Sequence, residues 1–241
     1  TRILPQTFRR RIRAFWMAIG ITALGCVFGG GALLLDPPSK SVIMPFSHLV
    51  GDPSDRVAME ENRDADRMAG GKATFSAYLM THNIKVSIMA FALGLSWGVG
   101  TVVLLFYNGI ILGAVAVDYI AAGEIKFLFG WLLPHGAVEI PAILIAGQSG
   151  LVLAGALIGW GKRQTLRSRL REVGPDTCTL IAGASLMLVW AGFVESYLSQ
   201  YHEPIVPYEY KIAFGCVQLV LLALYYGGSG RSRPDSDHEL A

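Results

Sequence analysis

The sequence is poor in charged residues. Asp, Glu, Lys and Arg make up 16% of its 241 residues, whereas hydrophobic residues make up 53%. An average soluble domain carries about 25% charged residues. Together with a mean hydropathy of +0.47, this composition excludes an ordinary soluble domain.

Cysteine is scarce, and recognisable catalytic motifs are absent. Cys26, Cys178 and Cys216 lie in apolar stretches without metal or redox spacing, so we interpret them as small core residues. The sequence has no Gly-rich phosphate loop and no Ser/His/Asp or Cys/His signature. These absences do not decide whether the protein is an enzyme. They favour a protein that has no enzymatic activity and needs no cofactor.

Long apolar runs dominate the sequence instead. The run 14–35 contains 22 residues without a charge, and a helix needs about 20 such residues to cross a hydrocarbon core of about 30 Å. It is too long for a signal peptide and no cleavage pattern follows it, so we interpret it as an uncleaved anchor. Further runs at 84–107, 136–160, 177–198 and 212–226 predict an all-α, polytopic helical membrane protein with about six spans.

The basic residues are sorted along the chain, although the net charge is only +2. They cluster at 2–13, 162–171 and 231–233, each time beside an apolar run. Cytoplasmic loops carry an excess of Lys and Arg, so all three clusters are expected on the inner side of the plasma membrane. Both termini are then cytoplasmic. Nucleic acid is not an expected partner, because each cluster directly abuts a span.

The same pattern divides the chain into five parts. We expect a cytoplasmic basic arm at 1–13, a first span at 14–35, an extracytoplasmic loop at 36–83, a membrane bundle at 84–226 and a disordered cytoplasmic tail at 227–241. The loop is the only long polar stretch and is acidic on balance. The tail is rich in Gly, Ser and Asp, a composition typical of disorder.

Two regions carry more specific signals. Ser54 to Met68 has mixed charges at helical spacing and predicts a surface helix in the outer loop. Asn108-Gly109 predicts a tight turn after the second span. Ile110 to Ala122 is short for a full crossing, and whether it spans fully is left open. Broken or re-entrant helices are predicted around 110–135.

Glycines repeat four residues apart within the apolar runs. Small residues at this spacing let membrane helices approach closely. They predict a tight bundle or a homo-oligomer. The pairs are Gly25/Gly29, Gly94/Gly98, Gly109/Gly113 and Gly155/Gly159.

Several polar residues interrupt the apolar runs. Ionisable groups at membrane depth are costly and mark function by default. His135 and Glu139 are four residues apart between Pro134 and Pro141, so a helix places both on one face. The full set within the runs is Asn108, Asp118, His135, Glu139, Gln148 and Glu195, and His82 lies at the entrance of a span.

Three interpretations of this set remain open. We favour a buried structural network of Asn108, His135, Glu139 and Glu195 that locks the helices together. In the second interpretation, Glu139 and Glu195 carry ions or protons in a transporter or channel. In the third, His135, Glu139 and Glu195 bind a metal ion in an intramembrane hydrolase. Asp118, Gln148 and His82 are secondary candidates in all three.

A set of short motifs resembles the stage II sporulation protein M family. The motifs are Asn83-Ile84-Lys85, Phe91-Ala92-Leu93-Gly94, Tyr107-Asn108-Gly109, Pro134-His135-Gly136 with Glu139, and Ala191-Gly192 with Glu195. The resemblance covers Tyr78 to Tyr226. Position 82 is His where the family pattern has Asn.

This resemblance implies a prokaryotic plasma-membrane protein with no established enzymatic activity of its own. In spore formers the family member acts as a membrane scaffold for peptidoglycan remodelling. The implied partners are extracytoplasmic cell-wall hydrolases or a cytoplasmic MoxR-type ATPase, besides the lipid bilayer. The acidic segment 36–83 would suit an outer partner, and the basic segment 162–171 an inner partner or anionic lipid.

Overall fold

A computed structural model describes residues 2–44, 47–62, 81, 84–199 and 201–230. These residues form helices and turns, with no β-strand among them. Five of the helices are long and apolar enough to cross a membrane. The all-α, polytopic membrane class predicted from the sequence is therefore confirmed.

The helices follow one another with short connections. A 3₁₀ turn, Pro37–Ser39, precedes α3, and a π-turn, Glu195–Ser199, continues α9. In chain order the helices are α1 (Ile3–Arg10), α2 (Ile12–Leu35), α3 (Lys40–Ile43), α4 (Ser47–Val50), α5 (Pro53–Glu61), α6 (Ile84–Leu95), α7 (Val99–Ala121), α8 (Ile125–Ile158), α9 (Leu166–Val194) and α10 (Tyr208–Gly228).

The span count differs slightly from the expected six. The long apolar helices are α2, α7, α8, α9 with its π-turn, and α10. Helix α6 is apolar but has only 12 residues, which corresponds to about 18 Å and is too short to cross a bilayer alone. The described part of the chain thus holds five full-length spans and one half-length apolar helix.

The turn predicted at Asn108-Gly109 is wrong, because both residues lie inside α7. Asn108 Nδ2 donates to the carbonyl of Leu104 at 2.8 Å, which satisfies the amide without breaking the helix. The chain turns earlier, between α6 and α7. There Trp97 and Gly98 adopt left-handed backbone conformations, with φ of 53° and 85°.

The interruption in the region 110–135 is a short turn between α7 and α8. It contains Gly123, whose φ of 83° is in the left-handed region that favours glycine. Pro134 and Pro141 do not end α8, which continues through both for 34 residues. Proline is tolerated in a membrane helix when neighbouring helices satisfy the backbone groups, and α9 and α10 both pack against α8.

Helices α2 and α7 run parallel and make close backbone contact through glycine. A methyl group at Gly25 would overlap the carbonyl of Phe106, and one at Gly29 would overlap the carbonyl of Ile110. The close helix approach predicted from the Gly25/Gly29 pair is therefore present within a single chain. The homo-oligomer remains a prediction.

The basic arm expected at 1–13 contains a helix packed on the bundle. Arg9 donates to two carbonyls at the C-terminal end of α10, both at 2.6 Å. Arg10 and Arg11 both form ion pairs with Asp176 near the start of α9. We call this end of the bundle the α1 end. The basic connection between α8 and α9 lies at the same end.

Helix α5 lies at the opposite end of α10, which we call the α5 end. It corresponds to part of the predicted surface helix 54–68, although residues 63–68 lie outside the described residues. The helix begins one residue earlier than predicted, at Pro53. The Asp52 side chain accepts a hydrogen bond from the amide of Ser54 at 2.8 Å and caps it.

Candidate functional site

The histidine and the two glutamates selected from the sequence meet between α8 and the end of α9. One ring nitrogen of His135 and one carboxylate oxygen each of Glu139 and Glu195 lie within 4.8 Å of one another. His135 and Glu195 are 5% and 2% exposed, and Glu139 is half-buried. We call these three residues the His–Glu cluster.

Local helix geometry explains this convergence. His135 and Glu139 are four residues apart in α8, so their side chains project from one face. Glu195 is the first residue of the π-turn that continues α9. A π-turn inserts an extra residue into a helical turn and is frequent at functional sites. Here its first and last residues, Glu195 and Ser199, are both buried.

The π-turn and α10 supply a second layer of polar groups. Ser199 Oγ is hydrogen-bonded to His135 Nδ1 at 2.9 Å. Lys211 is completely buried, and its Nζ donates to the carbonyls of Ser199 at 3.0 Å and Tyr201 at 2.5 Å. Because Ser199 contacts both His135 and Lys211, the buried ammonium belongs to the same network as the His–Glu cluster.

Glu195 is incompletely satisfied. Its Oε2 atom is buried and has no hydrogen-bond partner among the described residues. An ionised carboxylate in such an environment costs several kcal/mol unless it is paired, so a buried carboxylate normally takes up a proton or binds a cation. The His–Glu cluster is therefore an arrangement that can hold a proton or a cation between its three side chains.

A neighbouring link joins α8, α9 and α10. Gln218 Nε2 donates to the carbonyl of Pro134 at 2.6 Å, and its Oε1 accepts from Trp190 Nε1 at 2.8 Å. Sequence reasoning missed Ser199, Lys211 and Gln218. A signal for two of them was present, since Lys211 and Gln218 are seven residues apart and share one face of α10.

The other sequence candidates make their contacts elsewhere. Asn108 bonds to a carbonyl of its own helix at 2.8 Å. Asp118 forms an ion pair with Lys40 at 2.7 Å. Gln148 donates to two carbonyls of the α1–α2 segment, both at 3.1 Å. His82 lies outside the described residues. The network favoured from the sequence thus includes His135, but Asn108 is not among the contacts that build it.

A second feature lies at the α5 end, where α5 and the start of α8 enclose a pocket of about 350 Å³. Its lining includes the carboxylates of Glu61, Glu124 and Glu203, the ammonium of Lys126 and the ring of Tyr208. Three carboxylates and one ammonium make the pocket acidic. Sequence reasoning identified no pocket here, because its walls come from three separate segments.

Helix α5 is fastened to the bundle by one cation and one hydroxyl. Arg56 Nη1 donates to Tyr119 Oη at 2.7 Å, and its guanidinium lies 4.3 Å from the centroid of the Trp131 ring. Tyr208 Oη donates to Glu61 Oε1 at 3.0 Å. A cation stacked on Trp contributes about 0.5–2 kcal/mol, so this wall of the pocket is preformed.

The opposite wall is held by Lys126 and Glu203. Lys126 Nζ donates to Glu203 Oε1 at 2.8 Å, and the backbone amide of Tyr208 donates to the same oxygen at 3.1 Å. The hydrogen bond from Lys126, followed by the one from the amide, lowers the pKa of Glu203. Glu203 is therefore ionised at neutral pH.

Comparison with known proteins agrees with this architecture. The stage II sporulation protein M family model matches residues 14–200. An uncharacterised protein of Methanocaldococcus jannaschii is 25% identical over 122 residues, which cover 50% of this chain and 68% of that protein. No solved structure matches the chain. The family match extends from α2 through the π-turn and includes the whole His–Glu cluster, so the chain belongs to the stage II sporulation protein M family.

Proposed function

We propose that the protein is a membrane scaffold that binds envelope-remodelling proteins at its α5 end. The observation that carries this proposal is the acidic, preformed pocket between α5 and α8. Family membership, together with the peptidoglycan-remodelling role that the sequence resemblance implies, supplies the process in which such a scaffold would act.

A scaffold needs a surface whose shape does not depend on the partner. Binding to a preorganised surface avoids the entropic cost of ordering loops and side chains. The pocket meets this requirement on both walls, since Arg56 and Tyr208 anchor α5, while Lys126 holds Glu203.

The charge of the pocket indicates the chemistry of the partner. Glu61, Glu124 and Glu203 leave an excess of negative charge around Lys126. Complementary charge directs encounter and register at protein interfaces. The partner should therefore present Lys or Arg side chains to the α5 end.

In this proposal, the α5 end faces the outer side of the membrane. Basic segments lie at the α1 end, and the positive-inside rule favours the cytoplasm for that end. The α5 end would then face outwards, where cell-wall hydrolases act. A cytoplasmic partner would instead bind the basic connection between α8 and α9.

Site-specific photocrosslinking in cells tests the proposal. Met59, which is 63% exposed on α5, is replaced by a photoreactive residue, and Leu186, which is 73% exposed on α9, serves as the matched control. We expect a discrete protein adduct from position 59 and only lipid adducts from position 186. The adducted protein, identified by mass spectrometry, should carry an extracytoplasmic domain that acts on the cell wall.

A charge reversal sharpens this test. Glu124→Lys in the crosslinking chain should lower the yield of the adduct about tenfold, which corresponds to about 1.4 kcal/mol. Glu172→Lys at the α1 end is the matched control and should leave the yield unchanged. Equal adduct yields in the two variants, or lipid adducts alone from position 59, would contradict a partner at the α5 end.

A further inference from the structure

We propose that His135, Glu139 and Glu195 form a binding site for a divalent transition-metal ion. Two independent observations point to it. The three side chains place ligand atoms within 4.8 Å of one another. Glu195 Oε2 is buried and has no hydrogen-bond partner among the described residues, although the side chain is almost completely enclosed.

The donor set selects the class of ion. Imidazole nitrogen suits Zn²⁺, Fe²⁺ and their neighbours, and carboxylate oxygen is accepted by the same ions. With bonds of about 2.0–2.2 Å, tetrahedral ligand atoms are separated by roughly 3.4 Å. The three ligand atoms therefore reach coordination distance when their side chains rotate enough to move each atom by about 1 Å, with no change in the helices. Three protein ligands also leave a coordination position open.

The surroundings of His135 have the form expected for a metal ligand. Nδ1 is hydrogen-bonded to Ser199 Oγ at 2.9 Å; when Nδ1–H donates in this bond, Nε2 carries the lone pair that can coordinate an ion. Histidine ligands usually donate their second ring N–H to a neighbouring acceptor, and that bond orients the ring. The Trp131 ring meets the imidazole edge-on, with 6.4 Å between ring centroids.

The charge around the cluster also favours a cation. The carboxyl groups of Glu139 and Glu195 meet inside an apolar bundle. Lys211 brings one positive charge, and its Nζ is directed to the carbonyls of Ser199 and Tyr201. Two carboxylates enclosed in one site repel each other when both are ionised, and a cation bound between them offsets that repulsion.

A proton on Glu195 is the competing occupant. It would neutralise one carboxylate without any ion, and the protein would then bind metal weakly or only at its surface. The two occupants differ in stoichiometry and in their dependence on the three side chains. Binding measurements therefore separate them.

The test uses the full chain in lipid nanodiscs, stripped with a chelator and titrated with Zn²⁺ in a competition assay. We expect one tightly bound equivalent in the wild type. Glu195→Gln keeps the shape of the side chain but loses a charged ligand. It should weaken binding more than about 100-fold, because loss of an outer-shell partner alone costs about 10–100-fold. Glu172→Gln, at the α1 end and outside both sites, is the matched control and should bind as the wild type does.

Co²⁺ substitution gives a second readout that does not rely on loss of binding. His135→Cys should retain a metal site and add a thiolate-to-Co²⁺ charge-transfer band, which the wild type lacks. Size-exclusion profiles establish that each variant is folded. Substoichiometric Zn²⁺ in the wild type, equal affinity in Glu195→Gln, or a Co²⁺ spectrum of His135→Cys identical to that of the wild type would each overturn the metal site.

Discussion

A polar side chain inside an apolar bundle is stable only when its donors and acceptors find partners. Gln218 meets this condition with both ends of its amide, which contact Pro134 in α8 and Trp190 in α9. It therefore acts as a bridge across three helices. Gln218 is 7% exposed, so water cannot easily replace either partner.

Truncation of this bridge should destabilise the protein. Gln218→Ala leaves the Pro134 carbonyl and the Trp190 ring nitrogen without their partner. Hydrogen bonds between membrane helices average about 0.6 kcal/mol and reach about 1.7, so losing two should cost about 1–2 kcal/mol. Thermal unfolding in detergent should show a lower midpoint. Gln6→Ala is the matched control, because Gln6 also donates to a carbonyl, that of Gly230 at 2.8 Å, but in an exposed position.

The part of the site that can be read from the sequence is the part built within one helix. His135 and Glu139 share a face because their spacing dictates it. Glu195 lies 56 residues further on in the chain, and its approach depends on the packing of α9 and on a π-turn that no sequence pattern marks. Lys211 lies just outside the predicted run 212–226, yet it is fully buried. Tertiary packing decides these positions.

At the scale of the helical element, identical sequence signals have different outcomes. Gly25 and Gly29 allow backbone contact with α7. Gly155 and Gly159 have the same spacing, but Gly155 has open space beside it, and Gly159 ends α8 with φ of 62°. Glycine spacing predicts that another helix can pack closely at this face. Whether one does depends on which element the fold places beside it.

Helix α1 illustrates a second limit of sequence reasoning. Five arginines before a span predict a cytoplasmic basic arm under the positive-inside rule. They do not reveal Asp176, which lies 7% exposed near the start of α9 and accepts bonds from both Arg10 and Arg11. The rule describes which side a charge occupies and contains no information on its partner.

Loss of the Asp176 carboxylate should release α1 from the bundle without unfolding the other helices. Asp176→Asn removes the charge that Arg10 and Arg11 share, and hydrogen bonds to charged groups contribute about 1.5–3 kcal/mol when buried. Because Arg10 is 58% exposed, the loss of stability should lie at the lower end of this range. Hydrogen exchange should accelerate in 3–10 and stay unchanged in α8.

The matched control is Glu172→Gln in the same helix. Glu172 is exposed and its distance to Lys162 is 3.8 Å, so the pair should contribute little. Faster exchange of α1 in this variant as well, or unchanged exchange in Asp176→Asn, would show that the ion pairs do not hold α1.

At the scale of the whole molecule, the structure brings the basic segments of the sequence together at one end of the bundle. The N-terminal helix, the connection between α8 and α9, and the end of α10 lie together at the α1 end, while α5 lies at the other. Because α2 and α7 run parallel, the chain must return between them, and α6 covers about 18 Å of that return. The membrane side of each end follows from the positive-inside rule alone and stays a prediction.

Labelling of single cysteines tests that prediction. In a chain with Cys26, Cys178 and Cys216 replaced by serine, Met59→Cys on α5 and Arg163→Cys at the α1 end are both exposed positions. A membrane-impermeant maleimide should label position 59 in intact cells and position 163 only in inverted vesicles. The reverse pattern would place the acidic pocket in the cytoplasm. A scaffold for outer partners would then be ruled out, whereas the metal site, which is enclosed among the helices, would be unaffected by the reversal.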